Sequence, residues 1–226
     1  SESRVTASAR FRIIEGDDFS TRTSGLYLSS PKYRNLYVVR DRALVSGSIR
    51  DQSHIETKEL DTEVGGLSVT QIHTSPEERS SMAWGARTNA ARWNLLYWLH
   101  TRRGRFKSFW CPSWNSDLEL RNTINPADTS ITVLGAEVPS ATFPIDLFLL
   151  KRNGESYCFR VTGATYTGGG LEVLTLDEAI GVTINTWEVE AICFLRRVRF
   201  DADHIELRHT SNNQVYVTAP IVEVPL

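Results

Sequence analysis

The sequence predicts a mainly β protein: a β-sandwich-like domain with one central α-helix, plus an inserted small antiparallel β-barrel or sandwich domain. Three observations predict it. Helical spacing of apolar residues occurs in one place, between Thr88 and Gly104. From Ile131 to Phe194 the chain is a series of short alternating runs, each ended by turn residues. After Arg196 the alternation resumes, with Val198 and Phe200, Ile205 and Leu207, and Val215 and Val217 spaced by two. The 226 residues suffice for two domains. The first is expected to be discontinuous, residues 1–123 and 195–226, with residues 124–194 inserted.

Taken in order, Val5, Phe11, Ile13 and Ile14 stand among polar residues and read as a strand or as an arm. Gly16-Asp17-Asp18 reads as a turn, and Leu26 to Leu28 as a short strand. Residues 35–40 are β-branched and aromatic and suit a strand, and Ala43 to Ile49 suits the next. Eight of the fourteen residues from 50 to 63 are charged or histidine, which gives a solvated loop or an edge strand. Gly65-Gly66 punctuates the chain, Leu67, Val69 and Ile72 form a strand, and Ser75-Pro76-Glu77-Glu78 turns it.

The helix is expected over about 88–103. Thr88 or Asn89 supplies the N-cap, and Ala91, Leu95, Trp98 and Arg102 follow at helical spacing. Leu96 and Leu99 widen that stripe, while Trp93 and Tyr97 occupy a neighbouring face. His100, Arg102 and Arg103 suit the negative end of the helix dipole, and Gly104 supplies a left-handed residue to end it. Such a helix is apolar over more than one face, which implies a covering domain or a second subunit. Beyond it, Phe106, Ser108 and Trp110 alternate with Lys107, Phe109 and Cys111 until Pro112 ends the strand. Five of the six tryptophans lie between Trp84 and Trp114. Trp84, Trp98, Phe109, Trp110 and Trp114 are the expected core anchors. Arg87, Arg92, Trp93, Tyr97, Arg102, Arg103 and Arg105 are the interface candidates.

In the insert, Asn125-Pro126-Ala127-Asp128 forms a turn cluster. Asn153-Gly154 is a two-residue hairpin signal between LFLLKR and ESYCFRV, and Gly168-Gly169-Gly170 ends another hairpin. Trp187 sits in an alternating run and is expected in the core, with Tyr157 and Tyr166 as the other large aromatics. Asn212-Asn213 turns the last hairpin, after which the chain returns to the first domain.

Composition excludes several functions. Hydrophobic residues make up 41% and charged residues 23%, as in ordinary globular domains. The net charge of −2 gives no basic field of the kind nucleic acid requires. No apolar run is long enough to span a membrane. The polar first twenty residues carry no leader pattern, so folding in a reducing cytosol is expected. Cys111, Cys158 and Cys193 are odd in number, widely spaced and each in an apolar run, which fits free buried thiols. No nucleophile elbow, zinc-protease motif or phosphate loop occurs, so catalytic, cofactor and metal residues are all expected to be none. Asp201, Asp203 and His204 could face one ion, yet no third carboxylate accompanies them, and turn chemistry is the expectation.

The order Glu78-Arg79, Trp84, Arg92-Trp93, helix, Gly104-Arg105, Phe109-Trp110, Pro112 and Trp114 resembles the distal tail proteins, tail-tip (baseplate) components of long-tailed phages and gene transfer agents. A second match is Arg199-Phe200-Asp201 with Asp203, then Val215-Tyr216-Val217 and Glu223-Val224-Pro225. The resemblance covers residues 60–122 and 194–226 and consists of structural rather than catalytic residues. It implies a virion protein of the tail tip, assembled in the host cytoplasm. Six copies would form a ring between a tail tube protein and a baseplate hub protein. The alternative is a carbohydrate-binding or host-adhesion module of the baseplate.

Overall fold

The protein is mainly β, with antiparallel strands and a single α-helix among the described residues. The computed structural model describes residues 6–10, 32–40, 51–54, 57–61, 67–71, 77–135, 142–211 and 214–224. The elements expected at Gly16–Asp18, Leu26–Leu28, Ala43–Ile49, Gly65-Gly66, Ser75-Pro76 and Asn212-Asn213 lie outside those residues, as does Pro225.

In chain order the first elements are β1 (Thr6–Arg10), β2 (Lys32–Tyr33), β3 (Leu36–Tyr37), β4 (Asp51–His54), β5 (Thr57–Asp61), β6 (Leu67–Gln71), β7 (Glu77–Ala86) and α1 (Asn89–Arg102). There follow β8 (Phe109–Pro112), β9 (Glu119–Leu120), β10 (Ser130–Leu134), β11 (Ile145–Lys151), β12 (Ser156–Gly168) and β13 (Leu171–Leu176). The last are β14 (Val189–Phe200), β15 (His204–Ser211) and β16 (Gln214–Glu223). Two compact units emerge, one of Ser1–Phe109 with Arg197–Leu226, the other of Trp110–Arg196. The division falls earlier than the expected residue 123, because the Trp110–Ile124 stretch packs in the second unit. Trp114 meets Phe148 edge-on at 5.6 Å, and Leu118, Leu120 and Ile124 join that unit's core.

In the first unit β7 pairs with β16 from Ala86↔Val215 to Arg79↔Val222, and β4 pairs with its other edge. The far edge of β16 takes β15 along one half and the last residues of β14 along the other, and β1 pairs with β15. Side chains on β7 and β16 alternate with the period of a pleated strand. Ser80, Met82, Trp84 and Ala86 are buried, and so are Val215, Val217, Ala219 and Ile221. Sequence reading missed β7 and placed Glu77 and Glu78 in a turn. Both belong to the strand, and the alternation of Met82, Trp84 and Ala86 is its legible trace.

The second unit orders its strands β14-β11-β12-β13-β10-β9, with β8 also on β14. Its hairpins turn where expected: Gly154 donates to the Lys151 carbonyl at 2.9 Å between β11 and β12. Gly168, Gly169 and Gly170 all take positive φ between β12 and β13. The ladder does not close as a run of paired strands, but a single bridge links Leu118, just before β9, to Ile192 of β14. Leu147, Leu149, Val161, Leu174, Ile184 and Ile192 fill the middle of this unit.

Candidate functional site

Helix α1 starts where Thr88 leaves extended backbone and its Oγ1 accepts the Ala91 N–H at 3.1 Å. It ends on two consecutive left-handed residues, Arg103 at φ 52° and Gly104 at φ 58°. Gly104 was expected to close the helix alone. Arg103 takes the first left-handed position, and its N–H donates to the His100 carbonyl. Gly104 is required for a second reason: a Cβ there would lie 2.6 Å from Asp203 Oδ1 and 3.0 Å from its Cα.

The contact with Asp203 is the corner of this unit. Between β14 and β15 the chain bends through Asp201, Ala202 and Asp203. Asp203 Oδ1 accepts the Arg105 N–H at 3.1 Å, and Arg105 Nη2 donates to the Asp201 carbonyl at 2.7 Å. The Arg105 guanidinium also faces the Asp201 carboxylate at 3.7 Å, with Arg79 on its other side at 4.0 Å. Above this corner Phe200 is fully buried. It meets Trp84 at 6.3 Å, Trp98 at 5.4 Å and Phe109 at 5.1 Å. Edge-to-face contacts dominate, as the ring quadrupole favours. Two stretches nearly a hundred residues apart therefore meet: Gly104-Arg105 on Asp201 and Asp203, and Trp84 and Phe109 on Phe200.

All five expected core anchors are buried: Trp84, Trp98, Phe109, Trp110 and Trp114 expose 8% or less. The helix buries one stripe, Leu95, Trp98, Leu99 and Arg102. Of the five tryptophans between Trp84 and Trp114, the chain itself encloses four. Trp93 is the exception at 62% exposed.

The interface candidates separate accordingly. Arg87, Trp93, Arg103 and Arg105 are exposed, and Arg92 and Tyr97 are half-buried. Arg92 lies over the Trp93 ring at 5.5 Å. Arg102 is not a surface residue. It is 3% exposed and stands 4.6 Å over the Tyr37 ring, a cation–π contact inside the unit. Burial lowers its pKa, and the nearby Tyr37 opposes that shift. Phe106, expected on a strand, is in a 3-10 turn spanning Gly104–Phe106 and is 70% exposed.

Asp201 and Asp203 are engaged by arginine and backbone, as turn residues. Among the described residues no three His, Cys, Asp or Glu side chains gather as a metal site would need. No described helix is long and apolar enough to cross a membrane.

Trp187 corrects a further expectation. It is 71% exposed rather than in the core, because it precedes β14, in a 3-10 turn, Thr186–Glu188. The signal was present in the sequence: Asn185 and Glu188 have capping-box spacing. Both reciprocal hydrogen bonds of that box are made.

No protein-family model matches the chain, and no curated protein matches it.

Proposed function

We propose that this chain is a structural component of a phage tail tip, forming a ring that joins the tail tube to the baseplate hub. One observation carries the reading. The Gly104-Arg105 pair and the Asp201-x-Asp203 corner, nearly a hundred residues apart, are locked together, and the resemblance to distal tail proteins rests on these same residues. A motif spread over two stretches gains weight when its halves serve one structural purpose. Its parts are packing and turn residues, which suits a protein whose work is assembly.

The proposed ring would use a heterologous contact, one patch against a different patch of the next copy. Trp93, beside Arg92 on α1, is the large aromatic best placed for such burial, and tryptophan and arginine are the residues that most often anchor interfaces. At the level of fold, the first unit is read as sandwich-like. The second is read as a small barrel, on the strength of the Leu118–Ile192 bridge.

Sedimentation of the purified chain over a concentration series tests self-assembly. A homo-oligomer is expected, of six copies by analogy, and Trp93→Ala shifts it toward monomer. A chain that stays monomeric at every concentration, alone and mixed with tail tube and hub proteins, counts against the ring.

A further inference from the structure

Arg102, at the end of α1, is the most enclosed cation among the described residues, at 3% exposed. The second unit treats its buried cation differently. Lys151 there faces the carboxylates of Glu155 and Glu188 at 3.0 Å and 3.7 Å. Arg102 has no such partner: its Nε makes no hydrogen bond, and among the described residues no carboxylate pairs with it. A guanidinium does not discharge by losing its proton. The Tyr37 ring at 4.6 Å and the negative end of the helix offset part of the cost of enclosing that charge. An anion would offset the rest.

A second cation stands at the same ring. Lys32 and Tyr37 are direct cross-strand partners in the β2–β3 hairpin, so their side chains share a face. Lys32 Nζ lies 5.1 Å from the Tyr37 centroid. Lys32 is exposed, and among the described residues it too has no carboxylate partner. The hairpin is a two-stranded sheet of its own, joined by two residue pairs around a turn on Arg34 and Asn35. So short a ribbon can shift without breaking the ladders of the main sheet.

The geometry narrows the ligand class. Tyr37 covers a face of the Arg102 guanidinium, and the N–H donors lie in the plane of that group. Their fork matches two oxygens of a carboxylate or a phosphate. A metal ion would be repelled by both cations, and a neutral ligand would leave both charges uncompensated. We propose that Arg102 and Lys32, joined by the Tyr37 ring, form an oxyanion-binding site between the end of α1 and the β2–β3 hairpin. Arg102 takes two oxygens of the anion through its in-plane donors, and Lys32 neutralises the solvent side. The site lies wholly within the first unit, so it stands whether or not the chain assembles into a ring.

The test uses the full chain with two probes, inorganic phosphate and hexaglutamate, at ionic strength held constant with chloride. Calorimetry and the shift in Tm follow binding. Saturable binding of at least one probe is expected. Arg102→Met should weaken it about tenfold or more, and Lys32→Ala about threefold. Binding of phosphate points to a free phosphate as the occupant, and binding of hexaglutamate alone to an acidic side chain of a partner. Arg87→Ala, an exposed arginine before the helix, serves as the control and should bind normally. Circular dichroism confirms that each variant is folded, and Lys32→Ala, on an exposed side chain, decides the matter should Arg102→Met not fold. Two results would overturn the proposal: no saturable binding of either probe, or undiminished binding by either folded variant.

Discussion

Asp203 accepts the backbone N–H of Arg105 across 98 residues of sequence, and Gly104 beside it has no room for a side chain. This relationship ties the end of α1 to the bend between β14 and β15. Gly104→Ala should therefore destabilise the chain by about 1–3 kcal/mol from the left-handed backbone alone, with the clash against Asp203 added. Gly154→Ala is the matched control, since φ there is +87° but nothing lies within 4 Å of the added carbon. Urea midpoints of the two variants should differ, with Gly104→Ala the lower. Equal midpoints would mean that the corner yields freely.

Phe200 touches three aromatic rings and is 0% exposed. Phe200→Ala should cost ~3–5 kcal/mol, the range for large-to-small changes in a packed core. Chemical denaturation followed by tryptophan fluorescence measures it, because Trp84 and Trp98 line the space left behind. A loss below about 1 kcal/mol would show that the cluster collapses to fill the hole.

Much of this architecture was legible in the sequence, and the misses have physical causes. Thr88, the 3.6 periodicity through Leu95, Trp98 and Arg102, and the left-handed region near Gly104 placed the helix to within a residue or two. Asn153-Gly154 and the glycine run at 168–170 placed two hairpins, because each fixes positive φ that few other residues tolerate. Arg102 was misjudged because periodicity reports which face a residue shares. It does not report whether a cation finds an aromatic partner, here Tyr37, some 65 residues away. Trp187 was misjudged because a run such as TWEVEAICFL alternates whether or not its first residues have joined the strand. The Asn185–Glu188 spacing was the sign that they had not. The meeting of Arg105 with Asp201 and Asp203 had no local signature, since it depends on tertiary closure.

Glu188 gives the Trp187 turn a pH dependence of known sign. The Asn185 backbone N–H above all, with Lys151 nearby, holds the Glu188 carboxyl below the ordinary value of 4.5. A depressed carboxyl contributes stability above its unfolded pKa, and that contribution is lost as pH falls through about 4.5 toward the folded value. Glu188→Gln should flatten the fall of stability over that window, measured as urea midpoint against pH. An unchanged slope would show that the carboxylate does not hold the turn.

The buried thiols should be inert while the chain is folded. Burial pushes the Cys111 thiol up to about 12, and Cys193 is also buried, its S–H directed at the Asn115 carbonyl 2.7 Å away. Since the thiolate is the nucleophile, iodoacetamide at pH 8 should label neither in buffer and both in guanidinium. Half-buried Cys158 should react first. Mass spectrometry of labelled peptides reads the order, and prompt labelling of Cys111 in the folded chain would contradict its enclosure.

The ring reading is tested most directly by where the chain sits in a tail. An electron-microscopic reconstruction of the phage particle carrying this sequence should place copies of it as a closed ring between tube and hub, with Trp93 covered by the neighbouring copy. Density for the chain elsewhere in the particle, or a tail tip assembled without it, would contradict that account.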